Sequence, residues 1–233
     1  MLKNKRVFEA NIDSGGVFGD LPEWDLSDLY SGEDAPELQR DLNWTRSACE
    51  SFSKDYEGKL TSLDASGLLE AVQRYEAIDV VAGRIMSFAG LRYYQVTSDT
   101  GRAKFMSDMQ DQLTKITTPL VFYGLEFNRI DEKSLKSLIN QSNDLARYKP
   151  VFDRMRAMKP YQLSDELEKF LHDQSVIGAS AWNRLFDETV AGLVFYIDGE
   201  ELPLEAAANK LSEQDRDIRE TAAREIARVL REN

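Results

Sequence analysis

Helical periodicity constrains this sequence more than any other feature. In the stretch after Asp34, apolar side chains recur at alternating spacings of four and three residues: Leu38, Leu42, Thr45, Cys49, Phe52 and Tyr56. Because an α-helix turns once in about 3.6 residues, this spacing keeps them all on one helical face. The pattern predicts a helix from Asp34 to about Leu60, with a capping box between Asp34 and Glu37 at its start.

The same periodicity predicts two further long helices. The second starts near Asp64 or Ser66 and runs to about Val96, and it is apolar over so much of its circumference that we expect neighbours on two sides. The third runs from about Thr100 to Phe127. Pro119 lies inside it, and because proline removes a backbone hydrogen bond, a kink or break is expected there.

The pattern of residues 131–233 predicts shorter helices and a hairpin. The helices begin at Asp131, Asn143, Ser164, Ser180, Leu204 and Ser212. Strand-forming residues flank Asp198-Gly199, a dipeptide typical of a two-residue hairpin turn. We therefore predict a mainly α fold of long antiparallel helices with one small β-hairpin near residues 194–202. The predicted divisions are an extended entry segment (1–33), the long helices (34–130) and the shorter helices with the hairpin (131–233).

The segment from Tyr161 to Leu202 contains the only histidine, His172, and a regular helical series of apolar residues. The series includes Leu167, Phe170, Trp182, Leu185 and Phe186. Apolar residues at helical spacing usually face the core, so these five side chains are predicted to hold two helices together. His172 follows Leu171 on the first of these helices and is predicted to be a boundary or surface residue.

The amino-acid composition limits which partners and which cellular compartment we expect for this chain. The chain has 29 basic and 41 acidic side chains and a net charge of −12, and such a surface repels the phosphate backbone of nucleic acids. No stretch is apolar over the roughly 18 residues of a membrane span, and no signal peptide is present, so we expect a cytoplasmic protein with no membrane partner. The single Cys49 excludes an intrachain disulfide and is predicted to be buried rather than reactive.

Catalytic motifs are absent from the sequence. A HExxH zinc site needs two histidines on one helix face, and this chain has one histidine. No G-x-S-x-G elbow marks a serine nucleophile, and no glycine-rich phosphate loop occurs. Adjacent acids such as Asp165 and Glu166 point apart on a helix. We therefore predict no catalytic, cofactor-binding or metal-binding residue in this chain.

One basic patch occurs in this acidic chain: Arg147, Lys149, Arg154, Arg156 and Lys159. The patch could hold a substrate carboxylate or a phosphate. The simpler interpretation is a solvated helix face whose side chains pair with nearby acids.

Three stretches together carry a family resemblance. They are LPEWDLSDLY (residues 21–30), KPYQLSDELEKFLHDQSVIGASAWNRLFDET (159–189) and the hairpin FYIDGEEL (195–202) with QDRDIRETA after it. With the long helices between them, these stretches resemble oligoendopeptidase F, a bacterial zinc peptidase of the thimet-oligopeptidase type. The resemblance extends from about Leu21 to the end of the sequence.

The resemblance implies a largely helical enzyme that cuts short peptides and holds zinc through a HExxH helix and a downstream glutamate. This sequence resembles the N-terminal portion only, which contains neither, so the resemblance implies a lobe that forms part of the substrate channel wall and is inactive alone. Its partners would be short peptides and the C-terminal catalytic half. Residues 131–233 would begin an incomplete catalytic domain, and we expect exposed apolar side chains near the hairpin and the last helix.

A non-catalytic helical module that binds a peptide or protein is the alternative hypothesis. It is compatible with the same helices and with the same lack of active-site motifs. The coding sequence beyond Asn233 separates the two hypotheses. A downstream HExxH motif supports the peptidase, and a stop codon supports the binding module.

Overall fold

A computed structural model describes residues 23–233, and within them the chain folds into eleven α-helices and one β-hairpin. The mainly helical fold with a hairpin is thereby confirmed. The helices are α1 (Pro36–Tyr56), α2 (Ala65–Gln95), α3 (Thr100–Thr117), α4 (Val121–Phe127), α5 (Glu132–Gln141), α6 (Asn143–Arg147), α7 (Lys149–Met158), α8 (Asp165–Gln174), α9 (Ala179–Ala191), α10 (Leu204–Asn209) and α11 (Arg216–Glu232). The strands are β1 (Phe195–Ile197) and β2 (Glu200–Leu202). No described helix is long and apolar enough to cross a membrane.

The three long helices pack as their apolar stripes require. Every member of the predicted α1 stripe is buried. Helix α2 packs against both α1 and α3, which confirms the expected neighbours on two sides. Of the two predicted starts the structure has Asp64, whose carboxylate accepts a hydrogen bond of 2.8 Å from the backbone N–H of Gly67. Pro119 lies in a 3₁₀ turn that separates α3 from α4, so the predicted break is also confirmed.

The predicted capping box at the start of α1 is wrong. The N-cap position is Ala35, whose side chain makes no cap, and Pro36 opens the helix. The Glu37 carboxylate instead accepts hydrogen bonds from the backbone N–H and the hydroxyl of Ser31, at 3.2 and 2.6 Å. Because Ser31 offers two donors from the preceding loop, Glu37 binds that loop and does not reach back to Asp34.

Three other helix starts differ from the prediction. The N-cap residues are Ser142 instead of Asn143, Gly178 instead of Ser180, and Asp215 instead of Ser212. The Ser142 hydroxyl accepts from the N–H of Leu145, and the Asp215 carboxylate accepts from the N–H of Asp217. Such errors arise where several capping residues stand close together in the sequence, because composition does not show which of them adopts extended backbone.

The described part of the predicted entry segment, residues 23–33, is tied to the long helices. Tyr30 is buried, and its hydroxyl donates a 2.9 Å hydrogen bond to the Asp41 carboxylate. The Arg84 guanidinium donates to the same carboxylate and lies over the Tyr30 ring. Burial, together with the Asp41 carboxylate, raises the pKa of Tyr30 to about 12. Residues 1–22 of the predicted segment lie outside the described residues.

The turn between α1 and α2 is held by a carboxylate from α4. Glu126 is buried and accepts hydrogen bonds from the backbone N–H groups of Gly58, at 2.6 Å, and Leu60, at 3.4 Å. Gly58 has a φ of +77°, a left-handed conformation that glycine adopts without strain. The chain can therefore reverse tightly here and present both amides to one carboxylate.

Replacing Glu126 with alanine is expected to lower the free energy of unfolding by about 1–3 kcal/mol, because two backbone amides of the turn would lose their buried acceptor. Urea denaturation of the 233-residue chain measures this loss. The matched control is Glu50→Ala on the exposed side of α1, for which we expect a change below about 0.5 kcal/mol. Equal losses in the two variants would contradict the anchoring role.

The buried apolar residues form two clusters within residues 23–233. The larger joins Tyr30 and helices α1 to α7, and Phe152 is its last buried member along the chain. The smaller joins the hairpin to α10 and α11 around Phe195, Ile197 and Ala222. The hairpin turns at Asp198 and Gly199 with φ of 52° and 83°, as a type I′ turn requires. The proposed division of the chain at residues 33 and 130 stays a prediction.

Candidate functional site

Helices α8 and α9 turn their apolar sides away from the other described residues. The exposed fraction is 57% for Phe170, 69% for Trp182 and 67% for Phe186, and Leu167 and Leu185 are also exposed. Neither helix contains a buried residue. The prediction that these five side chains form a core between the two helices is therefore wrong. We call the five side chains the outward face.

The polar side of α8 is the side that contacts the other helices. The Asp173 carboxylate accepts a 2.8 Å hydrogen bond from the hydroxyl of Thr118. Arg129 forms an ion pair with Asp165, which lies in the first turn of α8, where the helix dipole favours an acid. The predicted amphipathicity of this helix is confirmed, and its orientation is the reverse of the expected one.

His172 bridges α8 to α3. Its Nε2 lies 3.1 Å from the carbonyl oxygen of Thr114 and 3.3 Å from Oγ1 of Thr117. The Thr117 hydroxyl donates its own hydrogen to the carbonyl of Leu113 at 2.8 Å, so it can only accept from His172. Nε2 therefore carries a hydrogen and donates it. This nitrogen is not available as a general base, and the half-buried ring serves as a polar contact between helices.

Helix α9 faces α2 and α3 across a cavity of about 150 Å³, which we call the α9 cavity. Its polar and aromatic lining consists of Tyr93, Tyr94, Gln110, Ser180, Asn183, Arg184 and Asp187. Arg184 crosses to α3, where its Nη1 donates a 3.0 Å hydrogen bond to the Ser107 hydroxyl. As in α8, the polar side of α9 is turned inward.

Tyr93 is the unusual member of this lining. It is only 2% exposed, and its hydroxyl has no hydrogen-bond partner within residues 23–233. Burial raises the pKa of the phenol, and the negative charges of Asp187 and Glu188 raise it further. Sequence reasoning missed this group, because no local pattern connects a tyrosine near the end of α2 with an acid on α9.

Cys49 is fully buried on the apolar stripe of α1, as predicted. Burial raises the pKa of its thiol to about 11, with a smaller contribution from the charge of Glu50. Because the thiolate is the reactive form, both access and ionisation disfavour reaction.

Iodoacetamide at about pH 8 is expected to alkylate Cys49 at least ~100-fold faster in the urea-unfolded chain than in the native chain, since a pKa near 11 leaves about one thiol in a thousand ionised at that pH. Mass spectrometry of timed samples measures both rates. Rapid labelling of the native chain would contradict the burial of this side chain.

The donor groups in the described chain do not fit a zinc site. No group of three or more His, Cys, Asp or Glu side chains in residues 23–233 is arranged to hold a metal ion. The only histidine donates through Nε2 to a helix carbonyl, and Cys49 is buried among apolar side chains. No reaction step is therefore assigned to zinc in this part of the chain.

The basic patch is divided between two roles. Lys149 pairs with Asp153 at 2.6 Å, as predicted for a solvated face. Arg156 pairs with no acid among residues 23–233, and it donates to the backbone carbonyls of Asn128, at 2.8 Å, and Ile130. Its guanidinium also lies 5.4 Å from the centre of the Phe127 ring, so it fixes the end of α4 to α7.

The exposed apolar side chains lie mainly on α7 to α9, away from the expected place. Residues 158–186 contain the outward face together with Met158, Tyr161, Leu163, Leu171 and Ile177, all of them exposed. Near the hairpin and the last helix, Leu211 and Leu230 are exposed as well. The expected surface therefore exists, and its largest part precedes the hairpin.

Comparisons with known proteins agree on one relationship. A family model described as Oligopeptidase F matches residues 126–195, the region that contains α8 and α9. Oligopeptidase PepF of Bacillus subtilis is 25% identical over 162 residues, which cover 68% of this chain and 23% of that relative. The chain resembles the N-terminal portion of oligoendopeptidase F. The family resemblance noted in the sequence is thereby supported.

A solved structure supports the same fold. Oligoendopeptidase-F from Enterococcus faecium superposes with a TM-score of 0.70 at 20% identity, over 84% of this chain and 40% of that chain. At this identity the match establishes the fold and not the activity. The chain spans less than half the length of either relative.

Proposed function

We propose that this chain is the N-terminal region of a zinc-dependent oligoendopeptidase that hydrolyses short peptides. The outward face is the observation that carries the proposal. It lies within the segment matched by the oligopeptidase F family model, and it is an apolar surface that the described residues leave uncovered. In this proposal the surface packs against the remainder of the enzyme, and the lobe forms part of the wall of the substrate channel.

The size of the surface favours a protein partner. The ten exposed large apolar side chains of residues 158–186, which include the five of the outward face, together present on the order of 1,000 Å². A stable protein interface takes about 800 Å² from each partner. The surface is therefore of the size that a second large segment of protein would cover.

In this proposal the described part of the chain does not bind the zinc ion. The donor groups of the described residues do not fit the metal, so its ligands belong to the remainder of the enzyme. We therefore expect the 233-residue chain to be inactive alone. Its contribution is to bind the catalytic half and to limit which substrates enter the channel.

A non-catalytic helical binding module is the second candidate. The same outward face could receive an amphipathic helix from another protein, since grooves and faces of this kind recognise helices through apolar anchors. This candidate needs no zinc and no further segment of the enzyme.

The coding sequence downstream of Asn233 and a peptide assay test the proposal. We expect a downstream HExxH motif and a full-length product that hydrolyses quenched fluorescent peptides and loses this activity with a chelator. We expect no hydrolysis by the 233-residue chain. A stop codon after Asn233 would favour the binding module, and chelator-sensitive hydrolysis by the short chain would contradict the absence of zinc ligands.

A further inference from the structure

Helices α2 and α4 form the two main walls of another cavity, of about 360 Å³, which we call the α2–α4 cavity. Tyr75, Ile78 and Asp79 lie on its α2 wall, and their spacing of three and four residues places them on one face of that helix. The 3₁₀ turn before α4 and α4 itself supply the opposite wall, and the His172 ring of α8 completes the lining. A volume of this size lies in the range of small-molecule sites, which is roughly 300–1,000 Å³.

Two groups on the α2 wall have polar atoms without a partner among residues 23–233. The Asp79 carboxylate is exposed and forms no hydrogen bond or ion pair there. The Tyr75 side chain is half-buried, and its hydroxyl makes no hydrogen bond and is not sealed from solvent. Burial raises the pKa of this phenol, and the negative charge of Asp79 raises it further, so the two groups act on each other. Their unpaired oxygens favour a ligand that carries hydrogen-bond donors.

The charge of the lining favours a cation. Among residues 23–233, Asp79 supplies the one carboxylate of the lining, and no lysine or arginine contributes to it. The Nε2 of His172 donates to the Thr114 carbonyl, so the neutral ring leaves Nδ1 as a further acceptor and adds no positive charge. The whole chain carries a net charge of −12, which raises the local concentration of cations and lowers that of anions.

The apolar part of the lining favours a cation with an aliphatic stem. Ile78, Leu120 and Val121 line the cavity beside the polar groups. Lysine and arginine side chains lay their methylene groups along such apolar surface while the charged end stays with polar partners. Gly124 leaves room for the stem, because a Cβ added at this position would meet no atom within 4 Å.

We propose that the α2–α4 cavity binds the cationic side chain of a peptide, either arginine or lysine. Asp79 is the charge partner, the Tyr75 oxygen accepts a hydrogen bond, and the methylene groups lie against Leu120 and Val121. The cavity is on the polar side of α8, which carries His172, and is therefore separate from the outward face. The proposal is independent of the peptidase assignment and applies to the 233-residue chain.

Calorimetric titration and two-dimensional NMR of the 233-residue chain test this site with three probes. Nα-acetyl-arginine methylamide and Nα-acetyl-lysine methylamide carry the cation, and Nα-acetyl-norleucine methylamide has the aliphatic stem without the charge. We expect at least one cationic probe to bind with a Kd in about the millimolar range and to shift the amide signals of Tyr75, Asp79 and Gly124. The norleucine probe should bind at least ~10-fold more weakly, because it cannot pair with the carboxylate. The cationic probe that binds more tightly identifies the preferred side chain.

Two variants and a control separate binding from folding. Asp79→Asn keeps the side-chain size and removes the charge, and we expect it to weaken binding of the cationic probe at least ~10-fold. Gly124→Leu places a side chain in the open space, so we expect binding at least ~10-fold weaker. Urea denaturation should show no loss of stability in this variant, since leucine favours a helix more than glycine does. Glu205→Gln, an exposed change on α10, should leave binding unchanged.

Three results would overturn the proposal. The first is that neither cationic probe binds, and the second is that the norleucine probe binds as tightly as they do. The third is full binding by Asp79→Asn or by Gly124→Leu, which would mean that the probe binds elsewhere on the chain.

Discussion

Replacing Phe52 with alanine is expected to lower the free energy of unfolding of the 233-residue chain by about 3–5 kcal/mol. Phe52 is fully buried on α1, and its ring centre lies 4.9–6.0 Å from those of Tyr56, Tyr75, Phe122 and Tyr123. These neighbours come from three helices that pack on each other. They cannot close the space left by the ring without moving together. The expected loss of stability therefore combines the lost transfer free energy of the buried ring with the cost of the cavity that remains.

Phe170→Ala is the matched control, because it is the same chemical change on the outward face. With Phe170 57% exposed, we expect a change below about 0.5 kcal/mol, apart from the small preference of helices for alanine. Urea denaturation followed by circular dichroism measures both variants. A loss of several kcal/mol from Phe170→Ala would show that α8 packs its apolar side inward in solution, contrary to the structure.

The long helices were predictable because their local signals and their packing agree. The Leu38 to Tyr56 stripe faces the core, Asp64 caps α2 and Pro119 breaks the third helix. Each of these features follows from spacing or backbone chemistry within a few residues. The hairpin at Asp198-Gly199 was predictable for the same reason, since both positions adopt positive φ.

The orientation of α8 and α9 was not predictable from periodicity. A hydrophobic stripe indicates that one side of a helix packs against other apolar groups, and it does not show which part of the protein supplies them. The apolar stripe of α1 is buried by other described residues, whereas Phe170 and Trp182 are left exposed by them. The sequence also did not show that the polar side of α8 faces the other helices, because the contacts of His172 with α3 join residues far apart in the sequence.

The α9 cavity was equally hidden from the sequence. It depends on a tyrosine from α2 and an acid from α9 that meet only because α9 turns its polar side inward. Predicting it would have required the orientation of α9 first.

The double substitution Trp182→Glu with Phe186→Glu tests whether the outward face is an interface in the full-length enzyme. Both side chains are more than two-thirds exposed in the 233-residue chain, so we expect its free energy of unfolding to change by less than about 1 kcal/mol. If the remainder of a peptidase covers this face, two charges would enter an apolar interface. Buried aromatic anchors contribute about 2–4 kcal/mol each, so we expect peptide hydrolysis by the full-length product to fall at least ~100-fold.

Val80→Glu supplies the control, because Val80 is 64% exposed on α2, outside the segment from Met158 to Phe186. We expect it to leave both stability and hydrolysis unchanged, since a single exposed apolar residue is ordinary on a protein surface. The comparison separates an interface effect from a general effect of added negative charge on an acidic protein. Full activity of the double variant would mean that the outward face stays open to solvent in the enzyme, and the apolar sides of α8 and α9 would then need a different partner.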